Sequence, residues 1–291
     1  MTGCTGLPGL DDASLVRAIE NLYAPGAPEQ DVAQLCRALA GREVALAVPG
    51  GVVQIDLGDW TSIMMIRLGA WEPHLAGLAR ALVRAGDHVV DVGAHVGTWT
   101  LLLASLVGPG GRVVALEPFE PSAIRARTAV LAAGFADRVR VITAAVGDRV
   151  GRASLYGGTD TMLSSLVRGE GAAAAPAIEV AITTLDELGD EPVDFAKIDT
   201  EGLELAVLRG ARRRLGRGDP ELLVELHAEQ LAALGSSQAA VFDELAAQGF
   251  TVFDLRPEGT ELIVQPLLAA APTTHHVLAR RDPTPFVVPL R

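Results

Sequence analysis

The sequence predicts an α/β chain: a mostly parallel sheet with helices on both faces, an antiparallel closing strand, and a small N-terminal α+β appendage. Three observations predict it. Residues 87–100 join a β-branched run (Val89, Val90, Val92) to a glycine turn (Gly93, Gly97) and then to an apolar helix that runs to Val107. From there strand-like and helix-like spans alternate as far as residue 255, the pattern of repeated βαβ units. The last strand-like stretches, 250–255, 262–264 and 276–279, follow one another with no helical span between them. That suits an antiparallel edge on a parallel sheet.

Taken in order, residues 1–10 are a Gly/Thr/Pro tail. Asp11 and Asp12 cap a helix through Leu15, Ile19 and Leu22 to Tyr23, and the prolines at 25 and 28 end it. A second helix starts near Asp31, carries Val32, Leu35 and Leu39 on one face, and stops at Gly41. Residues 44–48 and 52–57 read as strands around the turn Pro49-Gly50-Gly51, and 63–66 as a third. Trp71-Glu72-Pro73 opens a helix to Ala85. The stretch 89–92 has no polar face, as expected of a strand covered on both sides. Next come a strand at 112–116, a helix at 121–133 and a strand at 139–146. Residues 152–156 and 178–182 read as an inserted hairpin around the small, polar segment 157–175. A strand at 195–198, a helix at 203–215, a strand at 222–226 and a helix at 238–248 precede the closing strands. The appendage thus spans residues 1–70 and the main domain 71–291, with an insertion near 150–182.

Composition narrows the function. With 49% hydrophobic residues, the 291-residue chain has the material for a sizeable core. A net charge of -12 argues against a broad nucleic-acid footprint and against an anionic membrane surface. Cys4 and Cys36 form neither a disulfide framework nor a metal knuckle. The N-terminus has no basic, signal-like segment, and no run reaches the roughly 18 apolar residues of a membrane span. A cytoplasmic location is expected. Lys197 is the single lysine.

Ligands of open α/β sheets bind beyond the carboxyl ends of the strands. Asp91 ends the first strand of the main domain, and Gly93, Ala94, His95 and Gly97 form the turn after it. The dinucleotide fingerprint requires a third glycine that this turn lacks. A carboxylate facing the turn repels a pyrophosphate and attracts a cation, such as the amino group of S-adenosylmethionine (SAM). Glu117 ends the next strand, where an acidic residue takes ribose hydroxyls, and Pro118 and Phe119 follow as cover for an adenine. Ala145 and Val146 are placed along the adenine pocket, while Asp148 suits a turn cap as well as a ligand contact. In the run 197–202, Asp199 ends a strand and Glu201 lies at a helix start. Two carboxylates there would hold a substrate, a cation or a divalent metal, although Glu201 also suits a bare helix N-terminus. Glu225 and His227 close the next strand. His227 titrates near neutral pH and would take a proton. Asp199, Glu225 and His227 are therefore the candidate catalytic group. A Mg²⁺ ion bridging Asp199 and Glu225 is the alternative to a base, and the sequence leaves both open.

These pieces together resemble the FkbM family of SAM-dependent methyltransferases. The resemblance rests on Trp71-Glu72-Pro73, residues 91–100, Glu117-Pro118, Thr184-Leu185-Asp186, residues 197–202 with Leu208-Arg209-Gly210-Ala211, and Val224-Glu225-Leu226-His227. The 197–202 and 208–211 pieces are the most specific, and the match covers about residues 70–255. It implies a class I methyltransferase fold, SAM as cofactor, and methylation of a hydroxyl on a small molecule in natural-product or sugar tailoring. His95 stands where the family often has Asn. Two rivals stay open: a nicotinamide oxidoreductase on a related fold, and a non-catalytic SAM-binding protein. Residues 1–70 fall outside the resemblance and offer a surface for a homodimer.

Overall fold

The computed structural model describes residues 11–22, 29–68, 72–156, 177–267 and 275–290. The expected tail 1–10, Tyr23, the break at 25–28, Trp71 and the whole 157–175 segment lie outside them, as do the side chains of Leu22 and Val32.

The N-terminal elements are α1 (Asp12–Leu22), α2 (Glu29–Leu39), the antiparallel pair β1 (Glu43–Val48) and β2 (Gly51–Asp56), and α3 (Trp60–Leu68). The sequence reads 63–66 as a strand, but it lies inside α3. Asp59 accepts a hydrogen bond from the backbone N–H of Thr61 at 3.0 Å and so caps this helix. Ile63, Met65 and Ile66 are all buried, and so short an apolar run gives no periodicity to separate helix from strand.

Their buried side chains are continuous with those of the main domain. Leu15, Ile19, Leu35, Val53, Ile55 and Ile63 join one cluster with Val96, Leu101, Ala129 and Val130 of the main domain. Each such side chain contributes roughly 1.5–3 kcal/mol when fully buried. Gly50 shows how close the contact is: a Cβ there would lie 2.3 Å from the carbonyl oxygen of Leu101.

The chain continues through α4 (Pro73–Leu82), β3 (His88–Val92), α5 (Thr98–Val107), β4 (Arg112–Leu116), α6 (Glu120–Ala132) and β5 (Val139–Ile142). Helix α4 stops short of the expected Ala85, because Val83 turns extended and packs into the core. Helix α5 is apolar all round for a physical reason. Leu102 and Leu103 pack with the β3–β4 side of the core while Leu101 packs with the N-terminal elements. The stretch expected as one strand at 139–146 is two. After β5 the chain leaves the main sheet, and β6 (Ala145–Val146) joins a small sheet with β7 (Gly151–Leu155) and β8 (Ile178–Thr183). The β7–β8 pair is the hairpin read from the sequence.

Strand β9 (Phe195–Ile198) is followed by α7 (Glu204–Arg209) and α8 (Arg212–Leu215), where one helix was expected. The break falls at Gly210, whose missing Cβ would lie 2.0 Å from the carbonyl oxygen of Gly147. The chain then forms β10 (Glu221–Glu225), α9 (Ala228–Ala233), α10 (Gln238–Ala247), β11 (Thr251–Glu258), β12 (Glu261–Pro266), β13 (His276–Arg280) and β14 (Phe286–Pro289). The main sheet has the order β14-β12-β11-β13-β10-β9-β3-β4-β5. Strands β5, β4, β3, β9 and β10 run parallel, and β13 is antiparallel to both β10 and β11. The parallel doubly wound half, followed by reversed β13 and then β11, is the class I arrangement that the resemblance implies, and β12, also reversed, and β14 extend its edge. No helix among the described residues is long and apolar enough to cross a membrane.

Candidate active site

Strand β3 pairs with β4 on one side and β9 on the other, so the chain's winding reverses there and a crevice opens beyond the strand ends. Gly93 crosses this crevice with φ of 86°, and a Cβ on it would lie 1.7 Å from the carbonyl oxygen of Asp199. Only glycine allows that approach. The open cleft encloses about 640 Å³. Its walls are Val92, Gly93, His95, Leu116, Glu117, Pro118, Ala144, Ala145, Val146, Leu155, Asp199, Thr200, Glu201 and Leu203.

Glu117 is fixed by two backbone donors. His95 N–H donates to Oε2 and Phe119 N–H to Oε1, each at 2.8 Å. Burial pushes its pKa up to about 7 against those two bonds, with Asp199 and Asp91 adding to the rise. His95 sits at φ of 49°, a left-handed position that Asn, Asp and His occupy more readily than most residues. Its Nε2 is 3.7 Å from Asp59, and burial holds its pKa below the ordinary value.

Asp91 is wholly enclosed and accepts a hydrogen bond from the Thr100 hydroxyl at 2.6 Å. Burial raises its pKa, with Lys197 acting the other way. Lys197 lies beside it, with Nζ 2.6 Å from Asp199 Oδ2 and 5.6 Å from the Trp99 ring. Burial opposes its charge, but Asp199, Glu72, Glu225 and Asp91 together hold its pKa above the usual lysine value.

Two histidines complete this polar group. His227 Nδ1 is 3.1 Å from Glu204 Oε1. Its Nε2 faces Glu201 at 3.4 Å, Glu225 at 3.5 Å and Asp199 at 3.9 Å. Burial works against its proton, but these carboxylates raise its pKa to about 9. The near-neutral titration expected from the sequence is therefore displaced upward: with no cation bound, His227 holds its proton at pH 7, and a cation on Nε2 would displace it. His276 Nε2 lies 2.6 Å from Glu72 and 3.2 Å from Glu225, which outweigh burial and raise its pKa to about 10. Glu201 is pushed up to about 7 by burial among Asp199, Glu225 and Glu204.

Of the residues expected at the cofactor, Gly93, His95, Glu117, Pro118, Ala145, Val146 and Asp199 line the cleft. Asp91 and Ala94 are buried behind it. Gly97 serves helix packing, since a Cβ there would meet Ala126 of α6 at 3.1 Å. Phe119 packs with the small cluster of Ala145, Leu155 and Val180 and is not part of the cleft lining. Asp148 is exposed beside Arg149. Asp199, Glu225 and His227 do converge. Glu225, however, is shared between the two histidines, and the group closest around Asp199 is completed by Glu201 and His227. Sequence reasoning missed Glu72, Glu204 and His276. Glu204 carried a signal, a third acid in the run that holds Asp199 and Glu201; His276 carried none, because it reaches the site only through its pairing opposite Glu225.

The family profile described as "Methyltransferase FkbM domain" matches residues 91–252. Among solved structures, a methyltransferase FkbM from Methylobacillus flagellatus KT is 18% identical with a TM-score of 0.42. The match covers 76% of this chain and 53% of that one, so this chain aligns with about half of that protein. An O-methyltransferase from Bacillus cereus in complex with SAH is 17% identical at a TM-score of 0.43, covering 92% of this chain and 96% of that one. A putative rRNA-methylase from Clostridium thermocellum is 14% identical at 0.42, covering 75% and 94%. Such distant likenesses carry nothing about the acceptor.

Proposed function

The chain belongs to the FkbM methyltransferase family, and from that premise we propose that it transfers the methyl group of SAM to a hydroxyl of a small molecule. The observation that carries this reading is Glu117. Its carboxylate lines the cleft at the end of β4, beside the Gly93 turn, oriented by two backbone N–H groups. That is a rigid acceptor for a pair of ribose hydroxyls. Leu116, Pro118, Ala145, Val146 and Leu155 supply apolar walls for the adenine, and Asp199 and Glu201 face the end where the cofactor's positive charge would lie.

Bound SAM supplies a methyl group already activated by its sulfonium. The acceptor oxygen forms the new C–O bond while the S–C electron pair stays on sulfur, and S-adenosylhomocysteine leaves. The hydroxyl proton passes to one of the carboxylates grouped round His227. The protein's main task is alignment, which supplies roughly 7–11 kcal/mol. Proton removal by a positioned base adds a factor of about 10²–10⁴. The chain's net charge of -12 favours a small acceptor over a nucleic acid.

Calorimetry with SAM, S-adenosylhomocysteine and NAD tests the cofactor. Micromolar binding of the first two is expected, about -8 kcal/mol. Tight NAD binding with no SAM binding would favour the oxidoreductase instead. Incubating the protein with methyl-labelled SAM and a panel of hydroxylated small molecules, then reading label by mass, tests the transfer itself.

A further inference from the structure

We propose that the ends of β9 and β10 build a divalent-cation site, with Asp199 Oδ1, Glu201 Oε1 and His227 Nε2 as its protein ligands. These three residues offer ligand atoms that all lie within 4.8 Å of one another. His227 Nε2 stands 3.4 Å from Glu201 Oε1 and 3.9 Å from Asp199 Oδ1. Ligands at right angles around an ion with bonds of about 2.1 Å sit roughly 3 Å apart, so a small closure completes the site.

The outer atom of each ligand is already held. Lys197 Nζ engages Asp199 Oδ2 at 2.6 Å. Gln230 Nε2 donates to Glu201 Oε2 at 3.1 Å. Glu204 Oε1 meets His227 Nδ1 at 3.1 Å. Ligating histidines are oriented in this way, with the far ring nitrogen on a carboxylate and the near one turned to the metal. Glu204 is fully enclosed, and its Oε2 has no hydrogen-bond partner among the described residues. A buried carboxylate left short of partners is costly unless a positive charge lies close by.

The neighbouring trio Glu72, Glu225 and His276 is a different case. There His276 Nε2 stands 2.6 Å from Glu72 Oε1 and 3.2 Å from Glu225 Oε2, an ion pair already closed on both carboxylates without an ion.

Two carboxylates and one imidazole suit Mn²⁺, which accepts both donor types. Three protein ligands leave further positions for water and for an acceptor oxygen. Asp199 and Glu201 also line the cleft that contains Glu117 and Gly93. Resting on the reading of that cleft as the site of methyl transfer, the cation would hold the acceptor hydroxyl beside the cofactor and make it more acidic.

The test uses the full-length protein after EDTA treatment. Mn²⁺ alone is titrated and its free form followed by electron paramagnetic resonance, and S-adenosylhomocysteine is titrated into the same samples. One Mn²⁺ per chain is expected, with a nitrogen coupling from His227 in the pulsed spectrum. Asp199→Asn and His227→Gln should each weaken binding at least 30-fold, and Glu204→Gln by about 10–100-fold. A wild-type protein that binds S-adenosylhomocysteine but no Mn²⁺, or binds Mn²⁺ without nitrogen coupling, overturns the cation site and leaves the methyl-transfer reading standing. Mn²⁺ bound with that coupling in a protein that ignores S-adenosylhomocysteine and SAM supports the site and sinks the methyl-transfer reading. Equal Mn²⁺ affinity in folded wild type and all three variants also overturns the site. The wild-type spectrum decides alone should a variant fail to fold.

Discussion

The α-carbon of Gly93 faces the carbonyl oxygen of Asp199 so closely that a Cβ would come within 1.7 Å of it. This one contact fixes the glycine turn after β3 against the end of β9, where the carboxylates of the cleft begin. Gly93→Ala must move one of them and must also hold alanine at φ of 86°. Strain of this kind costs of order 1–3 kcal/mol. The expected outcome is a lower melting temperature together with at least a tenfold loss of S-adenosylhomocysteine affinity. A variant with unchanged affinity by calorimetry would mean that the turn does not shape the cofactor site.

Glu117 sets a pH dependence on cofactor binding. On the proposed reading ribose hydroxyls would donate to its ionised form, and its pKa in the free protein is about 7. About nine-tenths of the protein is competent at pH 8 and about one-tenth at pH 6, so affinity should fall roughly tenfold between them. Glu117→Gln should bind at least tenfold more weakly at pH 8 and lose most of this pH dependence. The check is calorimetry of both proteins across that range.

The same residue makes a stability prediction of the opposite sense. The folded pKa of Glu117 is raised from 4.5 to about 7. For a raised group, the stabilising contribution is complete below the unfolded value and is lost as pH climbs through the folded one. Without ligand, the wild type should therefore lose about 3 kcal/mol relative to Glu117→Gln between pH 4.5 and pH 8. Urea unfolding of the two proteins at a series of pH values measures the difference. A constant gap would show that Glu117 is not desolvated.

Lys197 pairs with Asp199 and adds its charge to that of His227 and His276 among Glu72, Glu225 and Asp91, and it is nearly inaccessible to solvent. Removing one partner from a buried ionic group leaves uncompensated charge, at a cost of about 3–5 kcal/mol. Lys197→Met should lower stability by that amount despite its similar volume. A melting temperature within a degree or two of wild type would show that the carboxylates are neutralised in some other way.

Much of the parallel core was legible because it is written locally. Val89, Val90 and Val92 announce a strand with no polar face, and all three are buried. The glycine turn and the acid ending each strand pointed to the cleft, and Gly93, Glu117, Pro118, Ala145 and Val146 all line it. Local patterns misled at several places, 63–66 and 203–215 among them. At 63–66 a short buried run carried no period, and Asp59 acting as a cap decided for helix. At Gly210 the break in a helix-like pattern follows from contact with Gly147, which lies far away in sequence.

The carboxylate–histidine cluster depended on tertiary structure. The sequence by itself placed Asp199, Glu225 and His227 on adjacent strand ends, since a parallel sheet fixes that order from the alternation of elements. Only the folded chain put His276 opposite Glu225 across the antiparallel β10–β13 pair and brought Glu72 within 2.6 Å of it. Only the folded chain set the charge of His227, because a pKa near 9 arises from Glu204, Glu201, Asp199 and Glu225 meeting around one buried ring. The reason is physical. Strand and turn propensities act between neighbours along the chain, whereas desolvation and Coulomb energy depend on distance in space, which the sequence encodes only through the fold as a whole.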